Sequence, residues 1–260
     1  MAGGTDERAT VEAGSGAAAA SIDAREVERF GALADAWWDE AGEFKPLHKL
    51  NPVRLAYVRD AALRRFGRDA KALRPLDGLA ILDIGCGGGL LTEPLARLGA
   101  RVVGIDAAER NVEAARRHAA VNGLAIEYRA TSAEALAAEG QRFDLVLNME
   151  VVEHVADVDA FLAASLALVK PGGLMILATL NRTLQSYAFA IVGAEMVLRW
   201  LPRGTHDWNR FLRPSELAKA LRAHGGRIAA LTGVVYSPIT GRFALGDDLA
   251  VNYMALVERA

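Results

Sequence analysis

Ile81-Leu-Asp-Ile-Gly-Cys-Gly-Gly-Gly89 is the stretch that decides the fold. Its first part, Ile81–Ile84, is the short apolar run of a buried strand, and the glycines after it turn the chain into a helix near Leu90. Because glycine has no side chain, the backbone N–H groups of such a loop can approach a ligand closely. The stretch therefore predicts a strand–loop–helix unit that binds a ligand at the end of the strand.

The spacing of these glycines distinguishes between two kinds of ligand. They fall at every second position, namely Gly85, Gly87 and Gly89. A dinucleotide-binding loop needs a glycine where this chain has Leu90, and the carboxylate of Asp83 would repel a pyrophosphate. That carboxylate would accept a sulfonium amino acid, and Asp106 at the end of the second strand can accept hydrogen bonds from both ribose hydroxyls. The pattern predicts S-adenosylmethionine as the cofactor, with Gly85 and Gly87 against it.

Short β-branched runs alternate with helical segments around this unit. The predicted strands are Ala80–Ile84, Arg101–Ile105, Ile126–Arg129, Leu145–Asn148, Leu174–Thr179, Arg227–Val235 and Val251–Val257. The predicted helices between the first five are Leu90–Leu98, Glu109–Asn122, Ser132–Glu139 and Asp159–Val169. Because parallel neighbours need crossover helices, strict alternation predicts a parallel sheet. We expect an α/β, Rossmann-like fold with a seven-stranded, mostly parallel sheet, an antiparallel C-terminal edge strand and helices on both faces.

The remaining segments define the domain organisation. Residues 1–20 are rich in Ala, Gly and small polar residues, lack a signal-peptide pattern, and are expected to form a disordered tail. Residues 21–77 are expected to form an N-terminal helical cap. Its helices are predicted at Ile22–Asp39 and Pro52–Arg65, the second capped by Asn51. Residues 78–260 then form the cofactor-binding domain, with an insertion at 181–213.

Composition excludes some classes of protein. The net charge is -2 and no segment is strongly basic, so nucleic acid is not an expected partner. Cys86 is the only cysteine, so no internal disulfide can form. A reducing compartment, the cytoplasm, is the predicted location.

Three further segments agree with the predicted cofactor. Ser132 follows the third strand, where an adenine amine is usually met, and Met149 follows the fourth, where it can pack on the adenine face. Lys170-Pro-Gly-Gly173 makes a tight turn into the fifth strand. Over residues 78–180 the chain resembles the class I S-adenosylmethionine methyltransferase family, although many relatives have Asp in place of Ser132. Methyl transfer to oxygen needs no covalent intermediate, so Cys86 is not expected to be a nucleophile.

Motifs largely outside this core carry a closer resemblance. They are Trp37-Trp-Asp39, Gly42-Glu-Phe-Lys-Pro-Leu-His48, Asn51-Pro-Val-Arg-Leu55, Met149-Glu-Val-Val-Glu-His154, Leu180-Asn-Arg182, Val192-Gly-Ala-Glu195, Gly204-Thr-His-Asp207 and Val251-Asn-Tyr-Met254. Over residues 22–257 the chain is similar to the ubiquinone-biosynthesis O-methyltransferases, which methylate ring hydroxyls of polyprenylated phenols. The resemblance implies a polyprenylated phenol or catechol as substrate and a place in a ubiquinone-biosynthesis complex. It also implies cofactor contacts at Arg54, Gly85, Asp106 and Met149, with Arg54 pairing with the cofactor's carboxylate.

Such a reaction must remove the hydroxyl proton of a phenol, whose pKa is about 10. If a helix begins at Glu150, then Glu150, Glu153 and His154 lie on one face and can hold a divalent cation that polarises a catechol-like oxygen pair. Mitochondrial members of the family are similar here and are thought to use a metal at these residues, and Mg²⁺ or Zn²⁺ is the expected ion. The alternative is an ordinary solvated helix start, where acidic residues are favoured.

A histidine acting directly as general base is the other way to remove the proton. His154 can serve if no metal is present, and His206 is the second candidate. An isolated loop histidine is more often structural, so both interpretations of His206 stand.

The insertion predicts a membrane contact. Its centre, residues 184–201, is apolar almost all round a helix but contains Glu195 and Arg199, which argues against a spanning segment. A polyprenyl substrate is confined to the bilayer, so residues 182–203 are expected to bind anionic lipids peripherally, on the inner face of the membrane. The alternative is a lid that packs on the protein's own core.

Three competing functions remain open from the sequence. One is a methyltransferase of the same fold that acts on carbon or on a different phenol. Another is a nicotinamide-dependent oxidoreductase, which Leu90 and Asp83 disfavour. The third is a scaffold that keeps the fold without turnover, which the intact set of acidic residues and His154 disfavours.

Overall fold

The structure, a computed structural model, describes residues 21–188 and 207–259. The strands within these residues are β1 Ala80–Ile84, β2 Arg101–Asp106, β3 Glu127–Ala130, β4 Phe143–Met149, β5 Val169–Leu180, β6 Gly226–Ser237, β7 Arg242–Gly246 and β8 Asn252–Arg259. The helices are α1 Ala24–Ala32, α2 Lys45–Phe66, α3 Thr92–Arg97, α4 Glu109–Val121, α5 Ala133–Ala138, α6 Val158–Ala167, α7 Leu184–Ser186 and α8 Pro214–Ala223. Short 3₁₀ turns lie at Ala34–Ala36, Val152–His154 and Trp208–Arg210.

The strands form one sheet in the order β3-β2-β1-β4-β5-β8-β6-β7. Neighbours from β3 through β5 pair in parallel. The remaining pairs, β5 with β8, β8 with β6 and β6 with β7, are antiparallel. The predicted α/β architecture, mostly parallel with an antiparallel C-terminal edge, is confirmed.

Side chains of β1 alternate between two apolar cores, one on each face of the sheet. Ile81 packs into a cluster with Val58 of α2 and Leu95 of α3. Leu82, the next residue, packs into a cluster with Phe161 of α6 and Leu217 of α8. Because successive strand side chains point to opposite faces, this division requires helices on both sides of the sheet.

The predicted number of strands is wrong by one. The segment expected to be only a loop between the last two strands contains β7, which pairs with β6 as the outermost strand. The last two predicted strands do pair with each other, but β8 lies inside the sheet between β5 and β6. The short β7 segment, Arg-Phe-Ala-Leu-Gly, carries few of the β-branched residues that mark a strand in sequence.

The second helix of the cap begins earlier than predicted. It starts at Lys45 with Pro46 in its first turn, so Pro52 lies inside the helix and Asn51 is not its cap. Proline has no N–H to donate to the preceding turn, which ordinarily ends a helix. Here the helix continues across Pro52 and buries Leu50 on one side of it and Arg54 on the other.

Another expectation concerns the start of an element. Lys170-Pro-Gly-Gly173 does not precede β5 but lies within it, where the register with β4 shifts between Phe143 and Leu145.

Residues 1–20 and the larger part of the insertion, 189–206, lie outside the described residues, and the division at residue 77 stays a prediction. Within 21–188 and 207–259, no helix is long and apolar enough to cross a membrane.

Candidate active site

One cavity of about 540 Å³ lies along the carboxyl ends of the strands. It is lined at one end by Asp106 of β2 and at the other by Phe243 of β7, with Met149 of β4 between them. The N-terminal segment covers it, contributing Glu26 and Arg54 among other residues. The crevice beyond the carboxyl ends of parallel strands is where α/β sheets bind their ligands, so this cavity is the candidate active site.

The glycine loop after β1 makes room for the protein's own side chains. A Cβ at Gly85, where φ is +69°, would lie 2.4 Å from Cγ2 of Val151. A Cβ at Gly87, where φ is +52°, would lie 2.5 Å from the indole carbons of Trp37. The sequence interpretation, that glycines here only clear a path for a ligand, is therefore incomplete, because Val151 and Trp37 use the same space.

Asp83 is a buried carboxylate at the end of β1. It is 3% exposed and accepts a hydrogen bond of 2.7 Å from Oγ1 of Thr92. Burial raises the pKa of Asp83 to about 6, with the charge of Asp106 adding to the rise, while Thr92 and Arg54 oppose it. A cation placed beside Asp83 would stabilise its charged form, so this group is suited to a positively charged ligand.

Asp106 ends β2 and is held by three donors. Its Oδ2 accepts from the N–H of Gly87 at 3.0 Å, and its Oδ1 accepts from the N–H of Ala108 at 2.9 Å and from Nδ2 of Asn111 at 3.2 Å. Burial raises the pKa of Asp106, and these three hydrogen bonds oppose the rise. The carboxylate is thus fixed in place at the rim of the cavity.

Arg54 and Glu150 form an ion pair between α2 and the residue after β4. Nη2 of Arg54 lies 2.5 Å from Oε1 of Glu150, and the Arg54 side chain is 6% exposed. Glu150 has φ +58°, the left-handed conformation that side chains other than glycine's rarely adopt. Such a strained residue at a cavity is typical of functional sites. The Glu150 carboxylate thus occupies a position beside Arg54 at which the carboxylate of a bound cofactor could also pair with this arginine.

Glu153 lies beneath this pair and does not line the cavity. Its Oε2 accepts a hydrogen bond of 2.8 Å from Oγ1 of Thr179, and the residue is 3% exposed. Burial, and then the like charge of Glu150, raise the pKa of Glu153 well above its usual range. The protonated, uncharged form of this carboxyl is therefore favoured.

His154 pairs with a residue that the sequence did not single out. Its Nδ1 lies 3.0 Å from Oε2 of Glu26 in α1, and both side chains line the cavity. Burial raises the pKa of Glu26, but the hydrogen bond and charge of His154, followed by the charge of Arg29, lower it below its usual value. A carboxylate that accepts from Nδ1 orients the imidazole and favours the tautomer that carries its proton on Nδ1.

The three residues predicted to bind a divalent cation do not form one ligand set in this arrangement, because Glu153 interacts with Glu150 but His154 pairs with Glu26. Glu150 precedes the 3₁₀ turn Val152–His154 rather than starting an α-helix, so the expected common helix face is not formed. Glu150 faces Arg54, Glu153 faces Thr179 and His154 faces Glu26. Over the described ranges 21–188 and 207–259, no three acidic, histidine or cysteine side chains are grouped as metal ligands are.

The remaining predicted site residues fall as follows. Ser132 lines the cavity and also caps α5, accepting from the N–H of Ala135 at 3.1 Å. Met149 lines the cavity at the end of β4. Cys86 is buried and the pKa of its thiol is raised by burial, which makes a thiolate nucleophile unfavourable. His206 lies outside the described residues.

The Trp37-Trp38 motif, noticed in the sequence only as a resemblance, contacts the glycine loop. Trp38 donates from Nε1 to the carbonyl oxygen of Gly88 at 2.9 Å and stacks on His118 at 3.4 Å between ring centroids. Trp37 stacks on Phe44 at 3.9 Å with the rings 7° from parallel. The motif was thus a usable signal, but only the fold shows that its target is the cofactor loop.

Known proteins with similar sequences match this chain over almost its whole length. The ubiquinone biosynthesis O-methyltransferase of Chelativorans sp. (strain BNC1) is 59% identical over 239 residues, which are 92% of this chain and 94% of that protein. The protein of the same name from Parvibaculum lavamentivorans is 57% identical over 244 residues, covering 94% of this chain and 96% of that one. Residues 82–177 match the family described as a methyltransferase domain.

Solved structures share the fold at much lower identity. Magnesium protoporphyrin IX methyltransferase from Synechocystis PCC 6803, solved with bound SAH, has a TM-score of 0.59 and 22% identity, covering 91% of this chain and 94% of that one. An S-adenosylmethionine-dependent methyltransferase from Clostridium acetobutylicum has a TM-score of 0.58 and 13% identity, with 90% and 98% coverage. These likenesses show the fold alone. The sequence matches, at well over half identity along more than nine-tenths of each chain, show that this chain belongs to the ubiquinone biosynthesis O-methyltransferase family.

Proposed function

We propose that this chain transfers the methyl group of S-adenosylmethionine to a ring hydroxyl of a polyprenylated phenol or catechol in ubiquinone biosynthesis. The observation that carries the proposal is that one cavity holds both a set of cofactor-binding groups and a carboxylate–histidine pair. The names of the relatives support the class of acceptor. Transfer of a radiolabelled methyl to prenylated catechols, compared with other phenols and with carbon acceptors, tests it directly. If no prenylated phenol is labelled, the proposal is contradicted.

The cofactor is proposed to lie across the ends of β1, β2 and β4. Asp106 would bind a ribose hydroxyl, and Asp83 would face the cationic amino acid part, whose charge stabilises the buried carboxylate. Arg54 would pair with the cofactor's carboxylate by sharing its five N–H donors with Glu150. Met149 would pack on the adenine, while Ser132, already the cap of α5, would meet its amine.

The acceptor is proposed to lose its proton to His154. Nε2 takes the hydroxyl proton, and the resulting phenolate oxygen attacks the methyl carbon. The bond from that carbon to sulfur breaks as the carbon–oxygen bond forms, and the sulfur keeps the electron pair as S-adenosylhomocysteine leaves. Glu26 holds the imidazole in orientation and stabilises the charge that it gains.

Replacing His154 tests this role. His154→Ala is expected to lower kcat by about 100-fold to 10,000-fold, the usual contribution of a general base, with S-adenosylhomocysteine affinity nearly unchanged. Glu26→Gln is expected to lower kcat less, since the imidazole keeps a hydrogen-bond partner. His224→Ala is a matched control, because His224 pairs with Asp159 outside the cavity. Full activity of His154→Ala would overturn the assignment and leave His206, tested by His206→Ala, as the candidate base.

Binding of Mg²⁺ or Zn²⁺ at Glu150, Glu153 and His154 is a separate proposal, supported by the sequence pattern. It requires a rearrangement, since Glu150 must leave Arg54 and His154 must leave Glu26. Activity measured after exhaustive chelation, and again after adding back each ion, tests it. Full activity after chelation with no increase on adding either ion would contradict the cation.

Peripheral binding to anionic lipids through residues 182–203 is also proposed. At the described edge of this segment, Leu184 is 83% exposed and Tyr187 is 46% exposed, which places apolar surface toward solvent. Flotation with anionic and with neutral vesicles tests the proposal. We expect the protein to float only with the anionic vesicles and to lose this on deletion of 184–201; no flotation would favour a lid on the protein's core. Location on the inner face of the membrane and membership of a ubiquinone-biosynthesis complex remain proposals of the same kind.

A further inference from the structure

The indole of Trp37 lies directly against the glycine loop. A Cβ at Gly88 would be 2.4 Å from Cβ of Trp37, and one at Gly87 would be 2.5 Å from two carbons of the ring. Stacking on Phe44, which is 5% exposed, fixes the ring plane from the other side. Trp37 is therefore held in one orientation, and its N–H has one direction.

That N–H determines how the amide of Asn111 is oriented. Nε1 of Trp37 donates to Oδ1 of Asn111 at 3.0 Å. An indole N–H can only donate, so the amide oxygen must face Trp37 and the amide nitrogen must face away. Asn111 is 1% exposed, so water does not compete for either end. Its Nδ2 consequently donates to Oδ1 of Asp106 at 3.2 Å.

The two oxygens of Asp106 thereby become different. Oδ1 accepts two hydrogen bonds, from Asn111 and from the N–H of Ala108, while Oδ2 accepts from the N–H of Gly87. A carboxylate oxygen has about two lone-pair sites, so Oδ2 keeps one for a ligand hydroxyl. We propose that Trp37 and Asn111 are positioning residues for the cofactor's ribose: the indole N–H fixes the amide, and the amide fixes the carboxylate that binds a ribose hydroxyl. This inference rests on the proposed placement of the cofactor at Asp106.

Trp37→Phe removes the N–H and keeps an aromatic ring over the loop and against Phe44. Trp38→Phe is the matched control, because Trp38 donates to the carbonyl oxygen of Gly88 on the same loop and not to Asn111. The probes are S-adenosylhomocysteine and its 2′-deoxy and 3′-deoxy analogues, with dissociation constants measured by calorimetry. In the wild type, loss of the hydroxyl that Asp106 binds is expected to weaken binding about tenfold.

Coupling between the substitution and the hydroxyl is the decisive readout. We expect Trp37→Phe to weaken S-adenosylhomocysteine about fivefold to tenfold but to leave that deoxy analogue nearly unaffected, so that the penalty for the missing hydroxyl almost disappears. Trp38→Phe should leave the penalty at its wild-type value.

Each contrary result has a distinct meaning. A Trp37→Phe protein that keeps the full hydroxyl penalty overturns the inference while the cofactor placement stands. A wild type that binds all three ligands equally overturns the placement at Asp106 and the inference with it. A wild type that does not bind S-adenosylhomocysteine overturns the proposed function. Should Trp37→Phe fail to fold, Asn111→Leu removes the same connection and is expected to abolish the same penalty.

Discussion

Asp83 and Glu150 are held in states that cost folding free energy. Asp83 is a buried carboxylate whose pKa is raised to about 6. Glu150 has a left-handed backbone conformation, which costs about 1–2 kcal/mol. Neither state is needed to build the sheet. Under the proposed placement of the cofactor, a cation would meet Asp83 and a second carboxylate would meet Arg54, so these residues would exchange stability for affinity.

Asp83→Asn is expected to stabilise the protein in the absence of cofactor. The folded-state pKa of about 6 exceeds the unfolded value of 3.8, so the folded state binds more protons and loses stability as pH rises between these values. Above pH 6 the penalty is complete, up to about 3 kcal/mol, and the amide of Asn removes it while still accepting from Thr92. Urea unfolding at pH 7 should therefore show a higher free energy of unfolding for the variant, with a difference that fades below pH 4.

The same substitution, Asp83→Asn, is expected to weaken cofactor binding while it stabilises the free protein. S-adenosylmethionine affinity should fall in Asp83→Asn, because the carboxylate that meets its cationic part is gone. Asp60→Asn, which changes an exposed carboxylate paired with Arg59, should alter neither quantity. Equal unfolding free energies at pH 7 for wild type and Asp83→Asn would contradict the buried-charge explanation.

The sequence was sufficient for residues whose position follows from the strand that carries them. Asp83 and Asp106 end neighbouring parallel strands, so their convergence follows from the order of elements. Glu26 and Asn111 could not be found this way. In sequence each is an ordinary polar residue of an exposed helix, and their partners His154 and Trp37 are brought to them only by the packing of α1 and the cap on the sheet.

At the scale of elements, the antiparallel edge extends the cavity beyond the part that holds the cofactor. Tyr236 of β6 and Phe243 of β7 are paired across the hairpin and their rings lie 5.0 Å apart between centroids. Both line the cavity. This end of the sheet is four strands from β4, a distance of up to about 19 Å at ordinary strand spacing. A bare phenol placed at the methyl donor cannot reach across it, whereas a prenyl substituent can.

Phe243→Ala is therefore expected to act on the acceptor and not on the cofactor. The acceptor's KM should rise for prenylated phenols, by about tenfold for the loss of one aromatic contact, and should change little for phenols without a prenyl chain. S-adenosylhomocysteine affinity should be unchanged. Ile239→Ala, at a 96% exposed residue of the turn between β6 and β7, is the control. A loss that is equal for prenylated and unprenylated phenols would contradict this role of the hairpin.

Pro52 shows why the start of α2 was misplaced. The rule that proline marks a first helical turn holds in the absence of strong packing. Here residues on both sides of Pro52 are buried against the sheet or the cavity, and that packing outweighs the lost hydrogen bond. The early strands carried no such conflict, and the predicted bounds of β1 agree with the structure.

Pro52→Ala is expected to stabilise α2. Pro52 is exposed, so the change restores an N–H to the helix and removes little packing. The free energy of unfolding should increase by about 1–3 kcal/mol. Chemical denaturation measures this, with Val53→Ala as a neighbouring comparison that keeps the backbone N–H and should not stabilise. A decrease in stability for Pro52→Ala would contradict this explanation.

At the scale of the whole molecule, the active site is assembled from segments far apart in the chain. Residues 82–177, which match the methyltransferase-domain family, supply the carboxyl ends of the parallel strands. The N-terminal segment covers these ends, and the C-terminal hairpin closes the far end of the cavity. Family membership follows from similarity along almost the whole length, and segments on both sides of residues 82–177 line the same cavity.

Cofactor binding should therefore slow backbone hydrogen exchange in segments beyond the glycine loop. At a hundredfold excess over its dissociation constant, S-adenosylhomocysteine should stabilise the protein by about 2.7 kcal/mol. Hydrogen exchange should slow at the glycine loop and also at residues 34–48, because Trp38 donates to the carbonyl oxygen of Gly88 in that loop and Trp37 packs against Gly87 and Gly88. Exchange in β7 should not change. Protection confined to the glycine loop would contradict the coupling between the N-terminal segment and the cofactor.

The pairing of Glu26 with His154 has a consequence for synthesis on the ribosome. The two residues are 128 positions apart, and Glu26 leaves the exit tunnel long before its partner has been made. α1 can complete its contacts only after β4 and the turn Val152–His154 have been translated, because its partner His154 lies in that turn. α1 is thus made early but completes its contacts late, and nascent chains can form the Glu26–His154 pair only after residue 154 has been translated.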